Sequence, residues 1–351
     1  VTPVARLVPV STREPIAVRA DPPAVIDVPP AHLELIWRPL QLRDATPLHG
    51  LLQAIETAEG ARERQSYEEV VELLTGPLVD LGSDSLGGFD DAGTIRAYAL
   101  VEVRPGEKVL RALLRGGVHP RWRGRGIGRA VLSWMEGRGR QRLAASGTEL
   151  PARLAVMVEE GARDQRRLYA AGGFSPIRWY TSMRRDLSAP MPQTPLPEGL
   201  QIAPWHDGLD ETVRLAHNEA FADHWGSEPF SAEVWAHQDA HFTPGWSFVA
   251  LDVSGAEPEV AGYLLSGRYP QDWAALGYTC GYADVVGVRP AWRRQGVAAA
   301  LLVTAMAAYR AADMEYACLR VDTGNPTGAL DLYERLGYQA TYGYVMYSVE
   351  I

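Results

Sequence analysis

Two stretches of the chain carry residue types and a spacing suited to holding an anion. Val118-His-Pro-Arg-Trp-Arg-Gly-Arg-Gly-Ile-Gly128 and Val288-Arg-Pro-Ala-Trp-Arg-Arg-Gln-Gly-Val-Ala298 each end an apolar run at a proline and then read Arg-x-x-Gly-x-Gly/Ala. Glycine at such a turn lets the backbone come close to a ligand, and the first-turn N–H groups of the helix that follows point outward. With the helix dipole this makes a site for a pyrophosphate, and the arginines add charge-assisted hydrogen bonds. Other phosphate motifs fit worse. Arg129 stands where the third glycine of a dinucleotide fingerprint belongs, and Gly-x-x-x-x-Gly-Lys is absent from a chain whose single lysine is Lys108.

The elements that must position these loops occur twice. Pro120, Trp122, Arg123 and Gly126 match Pro290, Trp292, Arg293 and Gly296 at an offset of 170. Leu168-Tyr169-Ala-Ala-Gly-Gly-Phe174 matches Leu332-Tyr333-Glu-Arg-Leu-Gly-Tyr338 at an offset of 164, the difference falling at the Gly/Arg-rich Gly137–Thr148. This ordered recurrence marks a duplication. Four prolines between Ser188 and Pro197 read as a semi-rigid linker over 188–198, separating copies at 32–187 and 199–351. Seven prolines in residues 1–31 read as an extended or disordered arm. In the second copy the pattern predicts strands at Leu200–Ala203, Trp246–Val253, Val260–Arg268, Tyr278–Val288, Tyr316–Val321 and Thr341–Val349. Helices are expected at Leu209–Trp225, Val297–Ala312 and Thr327–Leu336. The fold class is α/β, with a mixed sheet and helices in each copy.

Composition narrows the function. Residues 200–351 hold 19 acidic against 8 basic side chains, while residues 1–199 hold 24 against 26. An acidic second half is wrong for nucleic acid and suits a cationic substrate. Cys280 and Cys318 alone cannot build a disulfide framework. No apolar run is long enough to span a bilayer, and the first thirty residues have no signal-peptide core, so a cytoplasmic protein with no membrane partner is expected. His237 and His241 are one helical turn apart, but Gln238 breaks the His-Glu-x-x-His pattern, and no metal is expected.

Val286-Gly-Val-Arg-Pro-Ala-Trp-Arg-Arg-Gln-Gly-Val-Ala298 and Asn325-Pro-Thr-Gly-Ala-Leu-Asp-Leu-Tyr-Glu-Arg-Leu-Gly-Tyr338 resemble the acyl-CoA motifs of the GNAT superfamily of N-acetyltransferases. The resemblance covers both copies but not the arm, and among tandem members the mycothiol synthases have a similar layout. It implies two tandem GNAT-like domains, each a mixed, mainly antiparallel sheet flanked by helices, and acetyl-CoA as co-substrate. It implies that the pantetheine arm pairs with Val286, Gly287 and Val288 and hydrogen-bonds Asn325. The pyrophosphate would sit on Arg293, Arg294, Gln295, Gly296, Val297, Ala298 and Ala299. Val118, Arg123, Gly124, Arg125, Gly126, Ile127 and Gly128 would form the second cofactor loop. The Tyr333 hydroxyl would protonate the departing thiolate, as a neutral phenol can.

The copies differ in chemistry. The first has Gly161 where Asn325 stands in the second, and its Val109–Val118 strand carries Arg111 and Arg115 but no acid. The second has Asp284 two residues before Val286, on the same strand face. An alkylamine with a pKa near 10.4 loses its proton at pH 7 at a cost of about 4–5 kcal/mol, so a nearby carboxylate is needed. Many family members carry a glutamate where Tyr282 stands, and Asp284 becomes the candidate base. In this fold substrate choice comes largely from the early helices and loop, here His217–Phe230. Within it Glu219, His224, Trp225 and Glu228 are the candidate substrate-binding residues. The expectation is an acetyl-CoA-dependent N-acetyltransferase working in the second copy on a small-molecule amine. The alternatives are a non-catalytic acyl-CoA sensor or scaffold, or a mycothiol-synthase-type enzyme.

Overall fold

The computed structural model describes residues 14–236, 240–324 and 328–351. From the first copy come β1 (Ile36–Arg38), β2 (Ser85–Phe89), β3 (Ile95–Arg104), β4 (Leu110–Val118), β5 (Ala152–Glu159) and β6 (Ser175–Asp186). From the second come β7 (Leu200–Pro204), β8 (Phe248–Asp252), β9 (Glu259–Gly267), β10 (Cys280–Val288), β11 (Tyr316–Asp322) and β12 (Gln339–Glu350). The described residues form one twelve-stranded sheet in the order β1-β2-β3-β4-β5-β12-β6-β11-β10-β9-β8-β7. The ladders β4–β5 and β10–β11 are parallel, and the others are antiparallel.

The last strand of each copy crosses into the other. β12 pairs with β5 from Tyr344–Glu159 to Glu350–Arg153, and β6 pairs with β11 from Tyr316–Asp186 to Asp322–Tyr180. The two exchanged strands also pair with each other at the centre. Packing follows the exchange: Val345 and Tyr347 join the apolar core of the first copy, and Met183 and Leu187 that of the second.

The helices are α1 (Ile16–Arg19), α2 (Ala45–Glu59), α3 (Tyr67–Thr75), α4 (Leu81–Asp84), α5 (Ile127–Ala144), α6 (Arg163–Ala171), α7 (Asp210–Ala220), α8 (Ala232–Ala236), α9 (Pro270–Leu276), α10 (Val297–Ala311) and α11 (Ala329–Arg335). Helix α10 buries Val297, Leu301, Ala305 and Tyr309 at every fourth position, with Met306 three residues before Tyr309, which puts them on one face. Gly281 lies under Tyr309, where a Cβ would come within 2.3 Å of the ring. None of the helices among the described residues is long and apolar enough to cross a membrane.

Three expectations are corrected. The described part of the arm is packed, not loose: Ile16 and Ala20, four residues apart, enter the first core, and Arg19 donates to the carbonyls of Leu150 and Ile351 at 2.6 and 2.5 Å. The helix expected over Leu209–Trp225 begins at Asp210 and ends at Ala220, and Trp225 lies in the loop ahead of Gly226 and Pro229. Helix α9, opened by Pro270 at its first position and closed by Gly277 at φ 78°, was not expected.

Candidate active site

Each copy forks the sheet at the same place. The β10–β11 ladder runs from Cys280–Tyr316 to Ala283–Leu319 and stops, while β10 continues beside β9 to Val288–Gly262. The β4–β5 ladder likewise stops at Leu113–Ala155, while β4 continues beside β3 to Val118–Ala97. Past each fork the strand edge facing the gap, residues 286–288 in the second copy, has no sheet partner on that side among the described residues.

Beyond each fork a short 3₁₀ turn leads to the glycine-opened helix. Gly126 and Gly296 have φ of 91° and 85°, and Gly124 and Arg294, two residues earlier, have 79° and 62°. The two loops thus share one backbone path, which Arg294 follows against its side-chain preference. The α10 ladder begins with Ala300 N–H on the Gly296 carbonyl, so the amides of Val297, Ala298 and Ala299 have no acceptor within the helix. A Cβ on Gly296 would lie 3.5 Å from the Pro195 carbonyl of the proline-rich linker, which passes beside the loop.

One arginine of each loop turns back onto the fold, while Arg125 and Arg294 are exposed. Arg293 donates to the Val288 and Ala220 carbonyls at 3.3 and 2.9 Å and lies 3.4 Å from Asp223. Arg123 donates to the Val118 carbonyl at 3.2 Å and pairs with Glu59 at 2.6 Å. Both tie the loop to the end of the preceding helix, α7 or α2. Gln295 donates to the Ala291 carbonyl at 3.0 Å, and Arg125 stacks over Trp122 at 4.6 Å. These contacts leave the backbone amides of Val297–Ala299, which the small Ala298 and Ala299 side chains do not block, and the exposed Arg294 guanidinium as donors.

Asp284 marks the second fork. The β9–β10 register slips between Ala283 and Val285, so Asp284 is a bulge residue, and bulges re-aim side chains. Its Oδ1 accepts a hydrogen bond from the Tyr269 hydroxyl at 2.9 Å, and its Oδ2 lies against Gly267, where a Cβ would come within 2.6 Å. Tyr282 meets Tyr269 edge-on at 5.7 Å. The first copy has Leu114 at the corresponding position, buried and in an unbroken register.

Asp284 and Tyr282 line a cavity of 740 Å³ that also reaches Glu56, Gly117 and Tyr169 of the first fork. Its carboxylates are unusual. Burial pushes Glu56 up to about 7 and Asp272 up to about 8. Consecutive amides of the α2–α3 loop hold them: Arg64 N–H donates to Asp272 at 2.6 Å and Gln65 N–H to Glu56 at 3.1 Å. Sequence reasoning missed Tyr269 and Asp272, although Pro270 and Gly277 bracket their helix.

Tyr333 sits on α11, its ring edge-on to Tyr338 at 5.9 Å and packed against the second core. Burial raises its phenol to about 12, and no hydrogen bond among the described residues engages its hydroxyl. Asn325 lies outside the described residues, as do His237 and Gln238.

The structure does not bring all four candidate substrate-binding residues to one cavity. His224, Trp225 and Glu228 line a second cavity of 1040 Å³, bounded by Val285 and His217. Glu219 instead pairs with Arg289 at 2.6 Å. Glu228 accepts from the N–H groups of Glu107 and Val109 at 2.6 and 2.9 Å, joining the second copy's loop to the β3–β4 turn of the first. Trp225 stacks with Arg153 and Arg178 at 5.0 and 4.8 Å, and His224 Nδ1 lies 3.0 Å from the Trp225 carbonyl. His217 shares a 2.6 Å hydrogen bond with Tyr263, and burial lowers it to about 4, which leaves the ring neutral at pH 7.

Paired forks, each followed by a glycine-opened helix, define a duplicated acyltransferase fold, and residues 211–338 match the acetyltransferase (GNAT) family model. The chain belongs to the GNAT family and is an acetyltransferase. It is 34% identical to the mycothiol acetyltransferase of Thermobispora bispora, over 87% of this chain and 95% of that one. A GCN5-related N-acetyltransferase from Sphaerobacter thermophilus superposes with a TM-score of 0.68 at 27% identity, covering 90% and 96% of the two chains. A tandem GNAT protein from the clavulanic acid biosynthesis pathway shares the fold, with a TM-score of 0.63 at 18% identity over 90% and 98%.

Proposed function

We propose that the chain transfers the acetyl group of acetyl-CoA to a primary amine of a small molecule, at the fork of the second copy. The observation that carries this reading is Asp284, a carboxylate turned out of the β9–β10 ladder where β10 parts from β11. GNAT enzymes generally use acetyl-CoA, and the free edge at 286–288 and the open amides of 297–299 suit its pantetheine and pyrophosphate. The thioester supplies the electrophilic carbonyl. Asp284, steadied by Tyr269, takes the ammonium proton of the acceptor, and the Tyr333 phenol gives a proton to the departing sulfur. A phenol raised to about 12 stays protonated at neutral pH and is ready to donate.

The names of the relatives favour a mycothiol-related amine as the acceptor. Release of free thiol from acetyl-CoA across an amine panel that includes such a compound tests the reading. Amine-dependent release is the expected outcome. Acetyl-CoA binding with no release for any amine would contradict a primary amine as the acceptor.

A further inference from the structure

Three arginines lie side by side on adjacent strands of the first copy. Arg104 is registered opposite Arg111 in the β3–β4 ladder, and Arg111 opposite Arg153 in the β4–β5 ladder. Like charges at directly opposed positions repel, so such a row needs anions to compensate it. The outer two have them: Arg104 pairs with Glu102 at 2.6 Å and Arg153 with Glu350 at 3.3 Å. Arg111, in the middle, has no carboxylate within ion-pair distance and no hydrogen-bond acceptor among the described residues, and its Nε is buried. The nearby Glu228 carboxylate is engaged by backbone N–H groups.

Arg111 lines the 1040 Å³ cavity that also touches Val285, while Asp284 lines the 740 Å³ cavity, and the two cavities share Gln65, Glu69 and Arg115. Its Nη1 approaches Gly226 of the second copy's loop, where a Cβ would come within 3.3 Å. Glu69, Glu102, Glu107 and Glu228 also line the cavity, but none is within ion-pair distance of Arg111, whose planar fork matches a carboxylate or a phosphate. We infer that Arg111, flanked by Arg104 and Arg153, reads a carboxylate or phosphate carried by the acetyl acceptor, so that the first copy supplies specificity to the fork of the second. Burial, Arg104 and Arg153 lower the pKa of Arg111, and the nearby Glu228 carboxylate offsets part of that effect. The inference rests on the proposed acetyl transfer for the identity of the ligand, but not for the existence of the anion site.

Thiol release from acetyl-CoA is measured on the full chain with matched amines: ethanolamine against O-phosphoethanolamine, and butylamine against 4-aminobutyrate. The anionic member of at least one pair should have a KM lower by roughly 10- to 100-fold, the effect of a charge-assisted hydrogen bond. The pair with the larger ratio tells phosphate from carboxylate. Arg111→Gln should bring that ratio close to one, and Arg111→Lys should keep part of it. Equal KM values within both wild-type pairs, or a ratio that survives Arg111→Gln in a protein of wild-type Tm, would overturn the inference. If no amine is acetylated, calorimetry of the wild type with inorganic phosphate and with 4-aminobutyrate reads the site alone. Binding to either that Arg111→Lys weakens sustains the anion site while the transfer reading falls, and binding to neither, or binding that Arg111→Lys leaves unchanged, overturns the site.

Discussion

Asp284 and Tyr333 should fail differently when altered. Asp284→Asn keeps the shape of the bulge and the contact with Tyr269 while removing the proton acceptor. Turnover should fall most at pH 6–7, where an alkylamine is protonated, and part of the loss should return as pH rises and free amine accumulates. A pH–rate profile checks this, and a loss independent of pH would recast Asp284 as a binding group. Asp272 makes a separate prediction about stability. Its folded pKa, about 8, lies above that of a free carboxyl, so the folded state holds the extra proton and is favoured at low pH. That advantage declines as pH rises from about 4 and is gone above about 8. Asp272→Asn, which can still accept from Arg64 N–H, should therefore match the wild type in Tm near pH 4 and exceed it at pH 8. A constant difference between the two pH values would show that Asp272 is not held protonated.

The forks and their loops depend on a few close approaches. Gly287 lies against the fully buried Tyr263, where a Cβ would sit 2.4 Å from the ring. Gly287→Ala should cost roughly 1–3 kcal/mol of stability, as overpacking does, and distort the β10 edge offered to the pantetheine. Gly296→Ala forces a side chain into φ 85° and should cost about 1–2 kcal/mol while weakening acetyl-CoA binding through the shifted helix start. Denaturant melts and acetyl-CoA titrations of the two variants read both effects. Unchanged acetyl-CoA affinity in Gly296→Ala would move the pyrophosphate away from this loop. These elements were legible in the sequence because their signals are local: a proline stop, a glycine at the turn, and a helical apolar face after it. The bulge at Asp284 was not legible, since it arises from how β10 registers against β9, about twenty residues away in the chain. Arg123 and Arg293 were legible as loop residues, but not their turning toward the ends of α2 and α7.

The strand exchange governs the whole molecule. Residues 14–187 alone would keep β6 but lose β12, which separates it from β5, and residues 199–351 would lose β6 from beside β11. Neither piece should unfold cooperatively as a monomer, and mixing the two should restore the cooperative transition of the full chain. Circular dichroism melts with sedimentation decide this, and two independently stable monomers would contradict it. The duplication could be read from its landmarks, but the exchange could not. Nothing local in the β6 or β12 sequence names its partner strand, so only the three-dimensional pairing distinguishes the two arrangements. The exchange also brings Arg153, on β5, beside Glu350 of the second copy's last strand, and the inter-copy cavities place Arg111 against the loop that carries Trp225. The central claim is that transfer occurs at the second of two similar forks. Amine-dependent thiol release by Tyr333→Phe and by Tyr169→Phe, side by side, tests it most directly, because both changes keep the ring and remove one hydroxyl. Tyr333→Phe should lose roughly 10²–10⁴-fold in kcat, the usual contribution of a general acid, and Tyr169→Phe should lose far less. The reverse order would place the chemistry in the first copy, and full activity in both would remove the phenol from the mechanism.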